Sequence, residues 1–296
     1  MEKDFGGFKG ILVYGLGLIG GSFAKSLKSE GFQGKIYGFD LSEGRVKTAE
    51  SMKVIDRGFT NPEEIPWNDI DLVVIATPVK TFETVAKTIK PFLKENTIIT
   101  DVGSVKGDLV YKLQEILSPY EFIGAHPIAG TEKEGVENSV DGLFKGKKLI
   151  LTINDETENT KRLEKLWTDL GAKVEVMDPY VHDFVFASVS HLPHAVAFAL
   201  VDALISLSKE TGIDLFLYPG AGFKDFTRIA ASSPTIWKDI FIQNKQDVLK
   251  TIDEFTNSLQ KLKNLIEKED EDGLIKLLEE SRDKRLSLEK ENANCR

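Results

Sequence analysis

Residues 11–24 are Ile11-Leu12-Val13-Tyr14-Gly15-Leu16-Gly17-Leu18-Ile19-Gly20-Gly21-Ser22-Phe23-Ala24. An apolar run is followed by a glycine-rich turn and then by a segment with helical character. Three glycines at this spacing allow a tight turn, close approach of the backbone to a phosphate, and close packing of the helix on the strand. The helix N-terminus offers backbone N–H groups to an anion. The stretch therefore predicts a dinucleotide site with contacts from Gly15, Gly17, Leu18, Ile19 and Gly20.

A second apolar run, residues 35–39, ends in an acidic residue. Asp40 lies 20 residues after Gly20, a distance at which a carboxylate can accept hydrogen bonds from the ribose hydroxyls of a dinucleotide. Because a carboxylate would repel a ribose phosphate, Asp40 favours NAD over NADP. Arg45 follows closely and leaves NADP open as the cofactor.

The composition is that of a soluble protein. The chain has 296 residues, of which 41% are hydrophobic and 29% charged, and its net charge is −9. The length favours two domains, and the acidic balance argues against nucleic acid or an anionic membrane as a partner. The single cysteine, Cys295, excludes an internal disulfide. Without a secretory signal pattern we expect a cytoplasmic protein, and without ligand-spaced histidines or cysteines we expect no metal site.

One apolar segment could be mistaken for a membrane span. Between Phe184 and Leu207, Asp202 is the only formally charged side chain. Two histidines and a proline interrupt the segment. An apolar helix of this kind is normally buried by other helices or by a partner subunit. We therefore expect no membrane partner.

The order of segments predicts an α/β protein with two domains. Short apolar runs alternate with segments of helical length up to about residue 178, which is typical of a Rossmann-type parallel sheet. Beyond that point the sequence predicts only helices: one over 182–209, one from Ser233-Pro234 toward Glu267, and a last one after Asp272-Gly273. We assign residues 1–178 to the dinucleotide-binding domain and 179–296 to an all-α domain.

Polar side chains follow several of the predicted strands. Ligands of open α/β sheets bind beyond the carboxyl ends of the strands, so Thr77, Pro78, Ser104 and His126 are expected near the cofactor. A histidine can take a hydroxyl proton as hydride departs, because its proton affinity is near neutrality. Ser104 could hold the same oxygen or orient the imidazole. The alternative for His126 is a loop histidine bonded to backbone.

The helical half offers two further groups of candidates. His191 and His194 begin a long apolar helix, where a structural and a functional role are equally compatible with the sequence. Lys224 and Arg228 have the i, i+4 spacing of one helix face, and a guanidinium matches a carboxylate. A surface salt-bridge network is the alternative there. Trp237 is a residue type more often found in a core.

Together these segments resemble a known family. They occur in the order seen in the prephenate dehydrogenases of tyrosine biosynthesis: GLGLIGGS (15–22), TDVGSVK (100–106), HPIAGTE (126–132), SHLPH (190–194) and KDFTR (224–228). The resemblance covers nearly the whole chain. It implies NAD-dependent oxidative decarboxylation of prephenate to 4-hydroxyphenylpyruvate, and a homodimer formed through a helical domain that also binds the substrate.

The resemblance also implies roles for individual residues. His126 resembles the catalytic histidine that accepts the proton of the ring hydroxyl, and Ser104 the serine that bonds this hydroxyl and the histidine. Arg228 resembles the arginine that binds a prephenate carboxylate, and His194 the histidine that contacts the pyruvyl side chain. Positions at the rim of the active site are matched by Lys224, Asp225, Glu132 and Trp237.

Three alternatives remain open from the sequence. The first is an arogenate or dual-specificity cyclohexadienyl dehydrogenase, whose substrate carries an amino group in place of the keto oxygen. The second is a dehydrogenase of the β-hydroxyacid type, which would rely on a catalytic lysine and leave His126 without a role. The third is a non-catalytic protein that binds NAD.

Overall fold

The computed structural model describes residues 3–131, 133–153 and 155–294. The chain forms two compact units that divide after Val248. The first unit contains the sheet and every described candidate residue. The described residues of the second unit are mainly helical.

Eight strands form one sheet. They are β1 (Gly10–Tyr14), β2 (Lys35–Phe39), β3 (Arg57–Phe59), β4 (Leu72–Ile75), β5 (Ile98–Asp101), β6 (Phe122–Pro127), β7 (Lys148–Thr152) and β8 (Lys173–Met177). The order across the sheet is β3-β2-β1-β4-β5-β6-β7-β8. The first six positions match the strand order of dinucleotide-binding sheets, in which the order reverses beside β1. The predicted Rossmann-type sheet is confirmed.

Two strands, β7 and β8, run opposite to the other six and so depart from the predicted parallel sheet. β7 runs antiparallel to β6, with His126 opposite Ile150, whereas the other neighbouring pairs are parallel. A parallel connection requires a crossover, usually a helix. Between β6 and β7 the described residues form only a short 3₁₀ turn, Val136–Asn138. The chain therefore returns beside β6 in the opposite direction.

Five helices cover the two faces of the sheet. They are α1 (Leu18–Ser29), α2 (Glu43–Ser51), α3 (Phe82–Ile89), α4 (Gly107–Leu117) and α5 (Glu158–Asp169). In β1, Ile11 and Val13 join the cluster packed by α1 and α5, while Leu12 and Tyr14 join the cluster packed by α3 and α4. Burial on both faces is the reason that the strand sequences are continuously apolar.

The rest of the described chain is helical. Its elements are α6 (Pro179–Phe186), a π-helical turn (Ala187–His191), α7 (Leu192–Thr211), α8 (Ala221–Thr227), α9 (Pro234–Gln243), α10 (Lys245–Glu267) and α11 (Glu271–Asn294). The predicted helix from Pro234 toward Glu267 is interrupted at Asn244. The Asn244 side chain donates to the backbone carbonyl of Asp183 at 2.9 Å, a tertiary contact that local sequence does not encode.

Candidate functional site

In the turn between β1 and α1, two of the three glycines leave no space for a side chain, and the third does. Gly15 has a φ of +113°, and a Cβ placed there would lie 2.7 Å from the carbonyl carbon of Ala76. A Cβ at Gly20 would lie 2.2 Å from the Gly15 carbonyl oxygen, whereas nothing lies within 4 Å of one at Gly17. Gly17 caps α1 without a side-chain hydrogen bond. The space beside Gly17 and the first N–H groups of the helix suit a phosphate.

Asp40 is oriented toward this turn. One carboxylate oxygen accepts from the Leu16 N–H at 3.0 Å and the other from the Ser42 N–H at 2.9 Å. The guanidinium of Arg45 lies 3.7 Å from the carboxylate. The carboxylate thus stands beside the predicted phosphate site, at the end of β2. Leu18 and Ile19 form the first turn of α1.

The loop after β4 follows the strand that neighbours β1. Thr77 is half-buried and Pro78 is exposed. The Thr81 hydroxyl donates to the Thr77 hydroxyl at 2.8 Å or to the Pro78 carbonyl at 2.7 Å. Both residues therefore lie at the same edge of the sheet as the glycine turn.

A buried ion pair holds the loop that carries Ser104. Lys106 and Asp101 are each 1% exposed, and the Lys106 Nζ lies 2.7 Å from the Asp101 carboxylate. The same ammonium donates to the Gly103 carbonyl at 2.6 Å, while Asp101 accepts from the N–H groups of Gly103 and Ala125 at 2.8 and 3.0 Å. Because buried charges require such complete pairing, the pair ties the Ser104 loop to β6, the strand that contains His126. Nothing in the local sequence of Asp101 and Lys106 predicts this pair.

His126, near the end of β6, contacts a second histidine. Its Nδ1 lies 2.8 Å from Nε2 of His182, and Nδ1 of His182 lies 2.8 Å from the Asp183 carboxylate. Burial, followed by the charges of His182, Lys106 and His191, holds the pKa of His126 well below its ordinary value. His126 is therefore a neutral imidazole at physiological pH. His182 and Asp183 were missed because nothing in their local sequence relates them to a strand 56 residues earlier.

The two histidines of the SHLPH segment have different surroundings. His191 is 1% exposed, approaches the Asn244 amide at 3.2 Å, and burial lowers its pKa to about 4. His194 is half-buried, donates from Nδ1 to the Ser190 carbonyl at 2.9 Å, and stacks on Trp237 with ring centroids 3.6 Å apart. Because Nδ1 donates to this carbonyl, Nε2 is the nitrogen that carries the lone pair in the neutral ring of His194.

Arg228 lies close enough to His194 to affect its titration. Burial, and then the positive charge of Arg228, lower the pKa of His194. The helix predicted across Lys224 and Arg228 ends between them: α8 stops at Thr227, and Arg228 begins a 3₁₀ turn. Arg228 keeps αR backbone angles, so the chain stays helical from Lys224 through Arg228 and the shared face stays a prediction. Lys224 and Asp225 are exposed on α8, and Glu132 lies outside the described residues.

All four histidines of the chain belong to one cluster. His182 and His191 each lower the pKa of His126, and His194 lowers that of His191. The cluster connects the sheet edge to α7 and, through His194, to Arg228. A dinucleotide site, a neutral imidazole and a guanidinium thus occur in one compact unit.

Two family models together match most of the chain. "Prephenate dehydrogenase, nucleotide-binding domain" matches residues 23–176, and "Prephenate dehydrogenase, dimerization domain" matches residues 178–280. The first of these models alone covers more than half of the chain.

Individual relatives agree with these models. The crystal structure of prephenate dehydrogenase from Aquifex aeolicus in complex with hydroxyphenyl propionate and NAD+ is 50% identical, with a TM-score of 0.90 over 95% of this chain and 98% of that one. Prephenate dehydrogenase from Bacillus subtilis is 35% identical over 94% of this chain and 76% of its own length. Cyclohexadienyl dehydrogenase from Zymomonas mobilis is 33% identical over 95% of this chain and 96% of its own length. With its dinucleotide-binding sheet, its helical second part and these matches, the chain belongs to the prephenate dehydrogenase family.

Proposed function

We propose that the chain catalyses the NAD-dependent oxidative decarboxylation of prephenate to 4-hydroxyphenylpyruvate, a step of tyrosine biosynthesis. The observation that carries the proposal is the placement of His126 at the sheet edge, 2.8 Å from His182 and in one histidine cluster with His194 and its neighbour Arg228, where burial lowers the pKa of His126. The reaction needs a base at the hydroxyl of the prephenate ring and a cation at a carboxylate of prephenate. The two kinds of group come from different parts of the fold.

The residues around the glycine turn fit NAD. Its pyrophosphate would lie beside Gly17 and the N-terminus of α1, where the backbone leaves space. Asp40 would accept hydrogen bonds from the ribose and disfavour a 2′-phosphate, and Thr77 and Pro78 lie along the same edge. When bound, NAD accepts the hydride that leaves C4 of the substrate ring.

The protein's own groups orient the substrate and move one proton. His126 takes the hydroxyl proton at Nε2, and Ser104 holds the same oxygen from the loop after β5. Arg228 binds a carboxylate through its planar fork, and His194 contacts the pyruvyl side chain. Loss of carbon dioxide makes the ring aromatic, which supplies the driving force. We assign Lys224, Asp225, Glu132 and Trp237 to the rim of this site.

Arogenate is the second candidate substrate. The Zymomonas mobilis relative is named a cyclohexadienyl dehydrogenase, at 33% identity, and prephenate and arogenate differ only at the group that His194 would face. The test is NADH or NADPH formation in a matrix of prephenate and arogenate against NAD and NADP. We expect the highest kcat/KM for prephenate with NAD. A higher value for arogenate would reverse the substrate assignment, and no turnover with either would reject the function.

The glycine turn gives a matched pair of variants. Gly15→Ala should lower the free energy of unfolding by about 2 kcal/mol, because alanine is strained at positive φ and its Cβ meets the Ala76 carbonyl. Gly17→Ala should leave stability within about 0.5 kcal/mol, because its backbone is extended and the space is open. Gly17→Ala should still weaken NAD binding, since the methyl group occupies the phosphate space. Urea denaturation and NAD titration measure both effects; unchanged NAD affinity in Gly17→Ala would contradict the phosphate assignment.

The pH dependence follows from the lowered pKa of His126. A base must be unprotonated to act, so activity is present above its pKa and lost as pH falls through it. Because burial lowers that pKa, the acid limb of kcat/KM should lie below the ordinary histidine value of about 6.5. Initial rates in a constant-ionic-strength buffer series measure it, after preincubation controls for stability. A midpoint at or above that value would contradict a base whose pKa is lowered by its surroundings.

We further propose a cytoplasmic homodimer formed through the helical part. By length and composition the helical run Pro179–Thr211 could cross a membrane. Only 17% of its most apolar window is buried within one chain, so most of this apolar surface is uncovered. Val181, Val189 and Leu207 are 51%, 66% and 45% exposed, and residues 178–280 match a dimerization-domain model. A second copy of the chain would cover this apolar surface in a soluble assembly.

Leu207→Glu should therefore weaken the dimer, because a charge in an apolar interface loses its hydration. Sedimentation velocity at several concentrations measures the dissociation. Met52→Glu is the matched control, because Met52 is 38% exposed on the sheet part of the chain. A monomeric wild-type protein would reject the proposal, as would equal behaviour of the two variants.

A further inference from the structure

We propose that His182 and Asp183 are positioning residues, which hold His126 in the tautomer with its proton on Nδ1 and its lone pair on Nε2. The inference rests on the proposed function, because it assumes that His126 is the base. It adds two residues to the site, neither of which belongs to the motifs of the sequence analysis. Both lie in α6, outside the sheet.

The carboxylate decides the direction of both hydrogen bonds. Asp183 is an acceptor only, so Nδ1 of His182 must carry a proton to bond it at 2.8 Å. In a neutral ring, Nε2 of His182 then has a lone pair. Nδ1 of His126, which is 2.8 Å away, must therefore carry the proton. The reverse arrangement would place a lone pair of His182 against the carboxylate.

The environment favours the neutral form of both imidazole rings, His126 and His182. His182 is fully buried, and burial lowers its pKa more than the hydrogen bond to Asp183 raises it. The charged groups that act on it are Lys106, Asp183 and Asp101, and the first and last of these pair with each other. The remaining carboxylate, Asp183, faces the histidine pair.

The position of Asp183 is fixed from three sides. Its carboxylate oxygen Oδ1 also accepts from the Lys106 N–H at 2.7 Å, and its backbone carbonyl accepts from Asn244 at 2.9 Å. A Cβ at Gly107 would lie 2.6 Å from its other carboxylate oxygen, Oδ2. The absence of a side chain at Gly107 thus makes room for the carboxylate. A rigid acceptor of this kind can select one tautomer of its partner.

The same chain of bonds stabilises the protonated base. When the substrate hydroxyl gives its proton to Nε2 of His126, the ring becomes a cation. Its Nδ1–H still donates to His182, whose Nδ1–H still donates to the Asp183 carboxylate. No proton needs to leave His126 during the step, and the buried positive charge gains an oriented dipole and a nearby anion.

Substitution of His182 tests the position of the ring. His182→Phe removes both bonds at similar size and should lower kcat on the order of 10²-fold, with a smaller change in KM, as expected for a lost orienting partner. His182→Gln can accept from His126 through its carbonyl and donate to Asp183 through its amide, so it should recover most of the loss. Equal kcat losses for the two variants would indicate packing alone and overturn the inference.

Substitution of Asp183 has a matched control on the same helix. Asp183→Asn allows the hydrogen bonds to reverse and should lower kcat on the order of 10²-fold, the result of placing a proton on the reactive nitrogen. Asp178→Asn makes the same chemical change at the N-cap of α6, where asparagine serves equally well, and should leave kcat unchanged. Thermal melts of each variant check folding. Normal kcat in Asp183→Asn would overturn the inference.

A spectroscopic measurement keeps this inference separate from the proposed function. With only four histidines in the chain, long-range ¹H–¹⁵N spectra of the ¹⁵N-histidine-labelled full chain can assign each ring by single substitution. We expect a protonated Nδ1 and a bare Nε2 on His126 in the wild type, and a mixture in Asp183→Asn. A bare Nδ1 in the wild type overturns the inference even if prephenate is turned over. Absence of turnover with the expected tautomer rejects the function instead.

Discussion

His126→Asn is expected to lower kcat with prephenate by about 10³-fold, within the range that general bases contribute. Asparagine has no basic nitrogen to take the hydroxyl proton. Its amide can still donate toward Nε2 of His182, which His126 bonds at 2.8 Å, so the surrounding structure should persist. Steady-state NADH formation measures the effect, and NAD titration should show an affinity close to that of the wild type.

The control for His126→Asn is the second histidine that we assign to the substrate. His194→Asn should mainly raise KM, because His194 lies next to Arg228 rather than in contact with His182. Near-normal kcat in His126→Asn would remove the proposed base. It would also favour a dehydrogenase that relies on a lysine. Loss of NAD binding together with kcat would mean that the substitution had damaged the fold.

The second large effect is expected at Arg228. Arg228→Gln should raise the KM for prephenate about 30- to 150-fold, which corresponds to the loss of about 2–3 kcal/mol from charge-assisted hydrogen bonds to a carboxylate. kcat should change less, because the guanidinium would contact a carboxylate and not C4 or the ring hydroxyl, from which the hydride and the proton leave. Initial rates over a wide prephenate range separate the two parameters.

Two further substitutions test the chemistry of this contact. Arg228→Lys keeps the charge but loses the planar fork, so its KM should lie between those of the wild type and Arg228→Gln. Lys209→Gln removes an exposed positive charge near the end of α7 and should leave KM unchanged. If Lys209→Gln raised KM as much as Arg228→Gln, the effect would come from net charge and not from a specific carboxylate contact.

The first half of the fold was predictable because its signals are local. The spacing of Gly15, Gly17 and Gly20 predicted the turn that the structure shows. A side chain would clash at Gly15 and Gly20, whereas the space beside Gly17 is empty. Apolar strands buried on both faces have a recognisable composition. The antiparallel β7 was not predicted, because the direction of a strand depends on what its connection contains and not on its own residues.

The candidate site was predictable only in part. His126 and Ser104 could be named because one lies near the carboxyl end of β6 and the other follows β5, and these ends share an edge. His182 and Asp183 could not, since their importance depends on α6 packing against α4 and bringing an imidazole to 2.8 Å from His126. The buried Lys106–Asp101 pair was likewise invisible, because burial is a property of the packed chain. The proposed catalytic residues remain predictions that the variants above test.

By itself the sequence determined the dinucleotide-binding architecture, the helical second part and the family, because glycine spacing and apolar periodicity act over a few neighbouring residues. Only the tertiary structure decided which of the four histidines is bonded within the core, which stacks on Trp237, and which contacts His126. These properties depend on the partners that folding brings to each ring. Hydrogen bonds and burial between distant segments leave no periodic signal along the chain.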